Sequence, residues 1–298
     1  MSLELLKSTN NDEKPMLCLE VNPPRGTDLG NILSRLDGSL EGVNFLNITD
    51  SALAKMRMSA VIFASILKQR FKIEPLVNFS CRDRNVLAMQ SDILGAWALN
   101  VQSIIALTGD AVSIGDMPEA KGVFEVNSLG LLNIIQKLSS GSDLAGNKLK
   151  GAPAIIPGVV VNPNVKNIGA EIKRLARKKE AGAVYALSQP VFDEINSEAF
   201  FKEAYSVGIK IFMGLLPFKN GQSAMSISKI PGIKLSREVI ELAENSPESD
   251  LSAVSLDLCV KLAKSNRKYV QGFHVVSGAA PKLALELTAR LAGYIKTL

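Results

Sequence analysis

Ile104-Ile105-Ala106-Leu107-Thr108-Gly109-Asp110 places an acid where a buried strand has to stop. Four apolar residues closed by Thr-Gly-Asp read as a strand entering a tight turn, with Asp110 at its carboxyl end. Parallel α/β folds collect their chemistry at that end of their strands. Taken alone, a Gly-Asp pair after a strand is more often a turn than a catalytic site. Its weight comes from how often the arrangement recurs.

Upstream, Met16-Leu17-Cys18-Leu19 ends in Glu20 and the double-proline loop 21–26. Next come a short helix from Asp28 to Leu36 with Asp28 as its cap, a strand at 42–48 that stops at Thr49-Asp50, and a helix over 52–68. A strand at 75–80 runs into the polar cluster Cys81-Arg82-Asp83-Arg84-Asn85, and a helix over 86–99 leads back to the opening strand. Downstream, a long loop from Asp110 to Asn127 precedes a helix capped by Ser128. Strands follow at 154–161, 183–188, 210–217 and 272–276, with helices between them. Three helical stretches, 222–229, 236–245 and 251–267, stand before the last strand, and 283–295 closes the chain. Eight strands alternating with helices, with no break in composition, predict one (β/α)8 TIM barrel over residues 1–298 with extra helices before the last strand.

Composition narrows the chemistry. The chain has 298 residues, is 47% hydrophobic and carries a net charge of +5 with dispersed Lys and Arg. Aromatics make up 5%, too few for base-stacking platforms, so no nucleic acid is expected. No apolar run approaches the roughly 18 residues of a membrane span, and a cytoplasmic protein is expected. Cys18, Cys81 and Cys259 lie far apart without metal or disulfide spacing. His274 is the one histidine, which excludes multi-histidine metal sites; no metal is expected. Walker, GxGxxG, HExxH and GxSxG patterns are absent. Glu20, Thr49, Asn78, Asp110, Gln189 and His274 all fall at strand ends and so share one rim. Lys121 and Lys219, the residues a Schiff-base lyase would use, lie in polar loops where solvated cations are expected.

The segments Leu19-Glu20-Val21-Asn22-Pro23-Pro24-Arg25, Ala106-Leu107-Thr108-Gly109-Asp110, Lys178 to Asp193 and Gly214-Leu215-Leu216-Pro217 together resemble the signature segments of methylenetetrahydrofolate reductases, in the family's order. Cys81 to Asn85, Gln90-Ser91-Asp92 and Gly115 to Lys121 resemble the short bacterial branch made of the catalytic barrel alone. The resemblance implies a TIM barrel that holds FAD and reduces 5,10-methylenetetrahydrofolate to 5-methyltetrahydrofolate. It implies Glu20 as general acid, Asp110 as the carboxylate facing a substrate cation near the flavin, and Gln189, Phe192 and Gln222 as folate contacts. Thr49, Asn78, Thr108 and Gly109 match flavin ring and ribityl-phosphate positions. Glu171, Arg174 and Lys178 match contacts to the diphosphate and adenosine.

Two positions depart from the well-studied branch. Ser226 stands where an aromatic stacks on nicotinamide or folate, and Ala279-Ala280-Pro281 where an arginine follows the last strand. NADH or NADPH is therefore one expected donor, and a redox partner protein within a methyl-branch complex is the alternative. A homo-oligomer is compatible with either.

Overall fold

The computed structural model describes residues 2–7, 14–245 and 247–298, and its eight strands close into a barrel in chain order. They are β1 (Met16–Val21), β2 (Phe45–Ile48), β3 (Glu74–Ser80), β4 (Ser103–Leu107), β5 (Ile156–Val161), β6 (Tyr185–Pro190), β7 (Lys210–Leu215) and β8 (Gly272–Val275). Every neighbouring pair is parallel, and β8 closes on β1 with Cys18 opposite His274. Helices in chain order are α1 (Ser2–Lys7), α2 (Gly30–Leu36), α3 (Ala60–Phe71), α4 (Val86–Ala98), α5 (Ser128–Ser139), α6 (Ile168–Glu180), α7 (Glu194–Tyr205), α8 (Gly221–Ile227), α9 (Arg237–Asn245), α10 (Glu248–Asn266) and α11 (Pro281–Lys296). α8 to α10 are the extra helices expected before the last strand.

Strand alternation divides the core into two layers. Met16, Cys18, Phe45, Leu76, Ile105, Tyr185 and Phe212 point inward and fill the barrel. Leu17, Leu19, Leu46, Val77, Ile104, Ile211 and Phe273 point outward against the helices. Tyr185 and Phe45 each meet Phe212 edge-on, at 6.1 and 5.9 Å between ring centroids. The Tyr185 ring reaches the axis because residue 158 is glycine; a Cβ there would lie 2.3 Å from the ring. Its hydroxyl shares a 2.7 Å hydrogen bond with Ser103, so the buried polar atom is satisfied.

Ahead of β1, α1 buries Leu3 and Leu6 against the barrel floor, and Lys210 Nζ donates to Leu5 O at 2.7 Å. Three expectations are corrected. The helix expected over 52–68 begins only at Ala60, after a short 3-10 turn, Ala52–Ala54. Ser51, Leu53 and Ala54 have positive φ, and Leu53 N–H and Met58 N–H donate outside any helix, to Asp110 Oδ2 and Pro24 O. Tertiary partners for those amides outweigh the helical periodicity. Two caps also move. Asn127 rather than Ser128 caps α5, and Asp28 lies two residues before α2, accepting from Gly30 N–H.

Candidate active site

The upper inward positions of the barrel are polar: Glu20 on β1, Thr49 just beyond β2, Asn78 on β3 and Gln189 on β6. Glu20 Oε1 accepts from Ser277 N–H at 3.2 Å, Ser277 Oγ at 3.0 Å, Gly278 N–H at 3.4 Å and Asn22 Nδ2 at 3.5 Å. Burial raises its carboxyl pKa, and these hydrogen bonds oppose the rise without cancelling it. Asn22 also donates to Ser277 Oγ and accepts from Thr49 Oγ1 at 2.7 Å, so one relay ties the ends of β1, β2 and β8. Asn47 donates to Leu76 O and to Asn78 Oδ1, which leaves the Asn78 amide nitrogen without a partner among the described residues.

Asp110 follows β4, three strands from β1, so the two acids flank the mouth without sharing a bond. Gly109 sets its position at φ +98°, where a Cβ would come within 2.2 Å of Ser80 Oγ and 2.9 Å of Arg82 Cβ. Asp110 Oδ2 accepts from Leu53 N–H at 2.8 Å, fixing the strained loop after β2. Behind it, Arg82 is buried, donates to Ser51 O and pairs with Asp83, with Asp50 and Asp110 adding charge attraction. Arg84 joins Asp50 to Asp92 at 2.7 and 2.9 Å and lies 4.4 Å above the Phe79 ring. Thr108 borders an open cleft with Phe124, Glu125 and Asn127, and its Oγ1 accepts from Ser128 N–H.

The remaining expected contacts are less uniform. Gln189 is half-buried at the rim, and Gln222 is exposed on α8, one turn before exposed Ser226. Phe192 does not offer a ring face. It is 2% exposed and packs with Leu216, Phe218 and Leu235 beneath α8 and α9, because the segment after β6 must cover that satellite core. On α6, Lys178 Nζ donates to Val160 O at 2.6 Å and Glu171 Oε1 accepts from Asn162 N–H at 3.0 Å, so both engage the end of β5. Burial lowers the Lys178 pKa, with Glu171 pulling it back. Arg174, paired with Glu171 at 2.6 Å, presents the exposed guanidinium of this trio.

His274 does not reach the rim. It is 5% exposed, faces inward between Cys18 and Gly214, and neither ring nitrogen has a hydrogen-bond partner among the described residues. Desolvation lowers its pKa to about 3, so it is neutral. Lys121 and Lys219 are exposed, as solvated cations would be. Among the described residues no group of three or more His, Cys, Asp or Glu side chains could hold a metal, and no helix is long and apolar enough to cross a membrane. Sequence reasoning missed Asn22, Asn47, Asp50, Arg82, Arg84 and Ser277. The polar run 81–85 was the available signal for two of them.

Residues 5–291 match the family model for methylenetetrahydrofolate reductase. The chain belongs to this family. The similarity is distant: the Escherichia coli 5,10-methylenetetrahydrofolate reductase is 24% identical over 220 residues, covering 72% of this chain and 69% of that protein. The Pectobacterium carotovorum enzyme is 22% identical, covering 86% of this chain and 83% of its own. A Caenorhabditis elegans protein, described as a probable NADPH-dependent methylenetetrahydrofolate reductase, is 22% identical, and the match spans 39% of its length. Among solved structures, a Clostridium thermocellum protein described as binding two copies of 5-methyl-5,6,7,8-tetrahydrofolic acid superposes with a TM-score of 0.72 at 13% identity, covering 99% of this chain and 100% of that one. That last likeness concerns the fold. Glu20 and Asp110 stand three strands apart around one barrel mouth.

Proposed function

We propose that this barrel reduces 5,10-methylenetetrahydrofolate to 5-methyltetrahydrofolate. The observation that carries the reading is Glu20, an acid whose pKa burial raises, on the same barrel mouth as Asp110 three strands away. A general acid at neutral pH needs such a raised pKa.

The rim suits a flavin. The unpartnered Asn78 amide is free to meet a polar ring edge, and the close approach of Gly109 to Ser80 leaves backbone exposed beside the cleft at Thr108. Thr49, Asn78, Thr108 and Gly109 would hold the ring and ribityl chain of FAD, and Arg174 would meet its diphosphate end with Glu171 and Lys178 anchoring the helix behind it. Bound there, the flavin supplies the hydride. Glu20 gives its proton to N10 of the folate as the five-membered ring opens, leaving the cation at N5 and its methylene carbon. Asp110, fixed by Leu53 N–H, faces that cation. Gln189 hydrogen-bonds the pterin and Gln222 reaches the distal part of the substrate. The Ser277 and Gly278 amides hold Glu20 after it has lost its proton.

The purified chain should be yellow, or become yellow with FAD. E20Q should retain flavin and lose at least about a hundredfold in folate reduction, the scale of general acid catalysis. A colourless protein after incubation with FAD would refute the cofactor assignment, and unchanged turnover in E20Q would remove Glu20. Ser226 and Ala279-Ala280-Pro281 give nicotinamide no aromatic or arginine to stack on, so NADH, NADPH and a dye donor are to be compared. Brisk turnover with NADH would dismiss a separate redox partner.

A further inference from the structure

A partly open cleft of about 220 Å³ lies beside the barrel mouth, between the end of β1, α2 and α11. Its apolar walls include Leu19, Ile32, Leu36, Pro281 and Leu285. Arg35 on α2 and Arg57 in the loop before α3 also line it, both half-buried, and neither has a hydrogen bond or ion pair among the described residues. The Met58 N–H bond to Pro24 O, 2.9 Å, ties the Arg57 loop to the double-proline wall, so this arginine is held close to the cavity by the backbone. Glu20 stands at the inner end.

We propose that this cavity is a binding site for a small aryl carboxylate, its ring between Leu19 and Leu285 and its carboxylate on Arg35 and Arg57. Two unpaired guanidinium groups beside an apolar slot call for a planar anion that they can grip with paired N–H donors. Size agrees: a dry apolar cavity of about 150 Å³ takes a benzene ring, and this one leaves room for a carboxylate beside it. A phosphate fits less well, since the nearest backbone donors, Ser277 and Gly278 N–H, already serve Glu20. Burial raises the Glu20 pKa, which lessens its repulsion of an anion bound beside it. The site rests on the cavity and its arginines; Glu20, Asn22 and Ser277 also line it, so it adjoins the proposed active site, and benzoate binding is read separately from folate reduction.

The test is calorimetric titration of the whole protein with benzoate, with benzamide as the uncharged isostere and inorganic phosphate as the competing anion. Benzoate should bind one to one and benzamide at least about tenfold more weakly, the worth of one charge-assisted contact. R35Q and R57Q should each weaken benzoate by a similar factor. Leu285→Trp, which fills the slot while keeping both arginines, should abolish binding, and Ile32→Phe serves the same purpose if the first variant fails to fold. Equal binding of benzoate and benzamide overturns the proposal. So does tighter binding of phosphate, or benzoate binding that survives the filled slot.

Discussion

Acidification from pH 8 to pH 5 should destabilise this barrel through His274 alone by about 2 kcal/mol. His274 is 5% exposed, its ring nitrogens lack partners, and burial lowers its pKa from 6.5 to about 3. The sign follows from proton binding. Between those values the unfolded chain takes up a proton that the folded chain refuses, so stability is full above 6.5 and falls as the pH drops toward 3. At about 1.4 kcal/mol per pH unit, the interval from 6.5 down to pH 5 amounts to about 2 kcal/mol. Urea unfolding followed by circular dichroism at pH 8 and pH 5 measures the drop in the wild type. His274→Gln removes the titration at similar volume and should flatten the pH dependence by the same amount. Carboxylates common to both proteins cancel in the difference. Because the chain has one histidine, its imidazole resonance can be followed without assignment. The reasoning fails if that resonance titrates near 6.5 in the folded protein, or if both proteins lose stability equally.

Gly109→Ala should cost about 3 kcal/mol or more, from a positive φ and a Cβ placed 2.2 Å from Ser80 Oγ; a shift of less than 1 kcal/mol in urea unfolding would contradict the tight fit. Arg84→Met leaves Asp50, 7% exposed, without its cation and should destabilise by about 3 kcal/mol, with a near-neutral melt counting against the network. Leu6→Ala removes an almost fully buried side chain from the barrel floor and should cost about 2–3 kcal/mol, and an unchanged melt would show that α1 does not dock there.

Strand ends were legible because burial imposes a continuous apolar run and a polar stop on each one. The runs ending at Glu20 and Asp110 mark β1 and the turn after β4 within a residue or two, and the series gives the barrel. The helix expected over 52–68 was misread because periodicity cannot register an amide claimed by a distant carboxylate. Leu53 donates to an acid 57 residues away. Phe192 fell in a matching segment, but the satellite core that buries it is built from residues 216 to 251. Glu171 and Lys178 were expected as ligand contacts because the resemblance to the reductase family implied them. The carbonyl and amide they engage lie on another element, at the end of β5.

By itself the sequence determined the eightfold alternation, the rim on which Glu20, Asp110 and Gln189 stand, and the scarcity of histidine that removes whole classes of mechanism. Only the tertiary structure decided what surrounds them. It placed Ser277 and Gly278 on Glu20 across 257 residues of chain, buried His274 below the rim, and left Arg35 and Arg57 around a cavity without partners among the described residues. The physical reason is that a strand's end is fixed by local pattern, whereas pKa, hydrogen bonding and cavity shape depend on groups that meet only when the barrel closes.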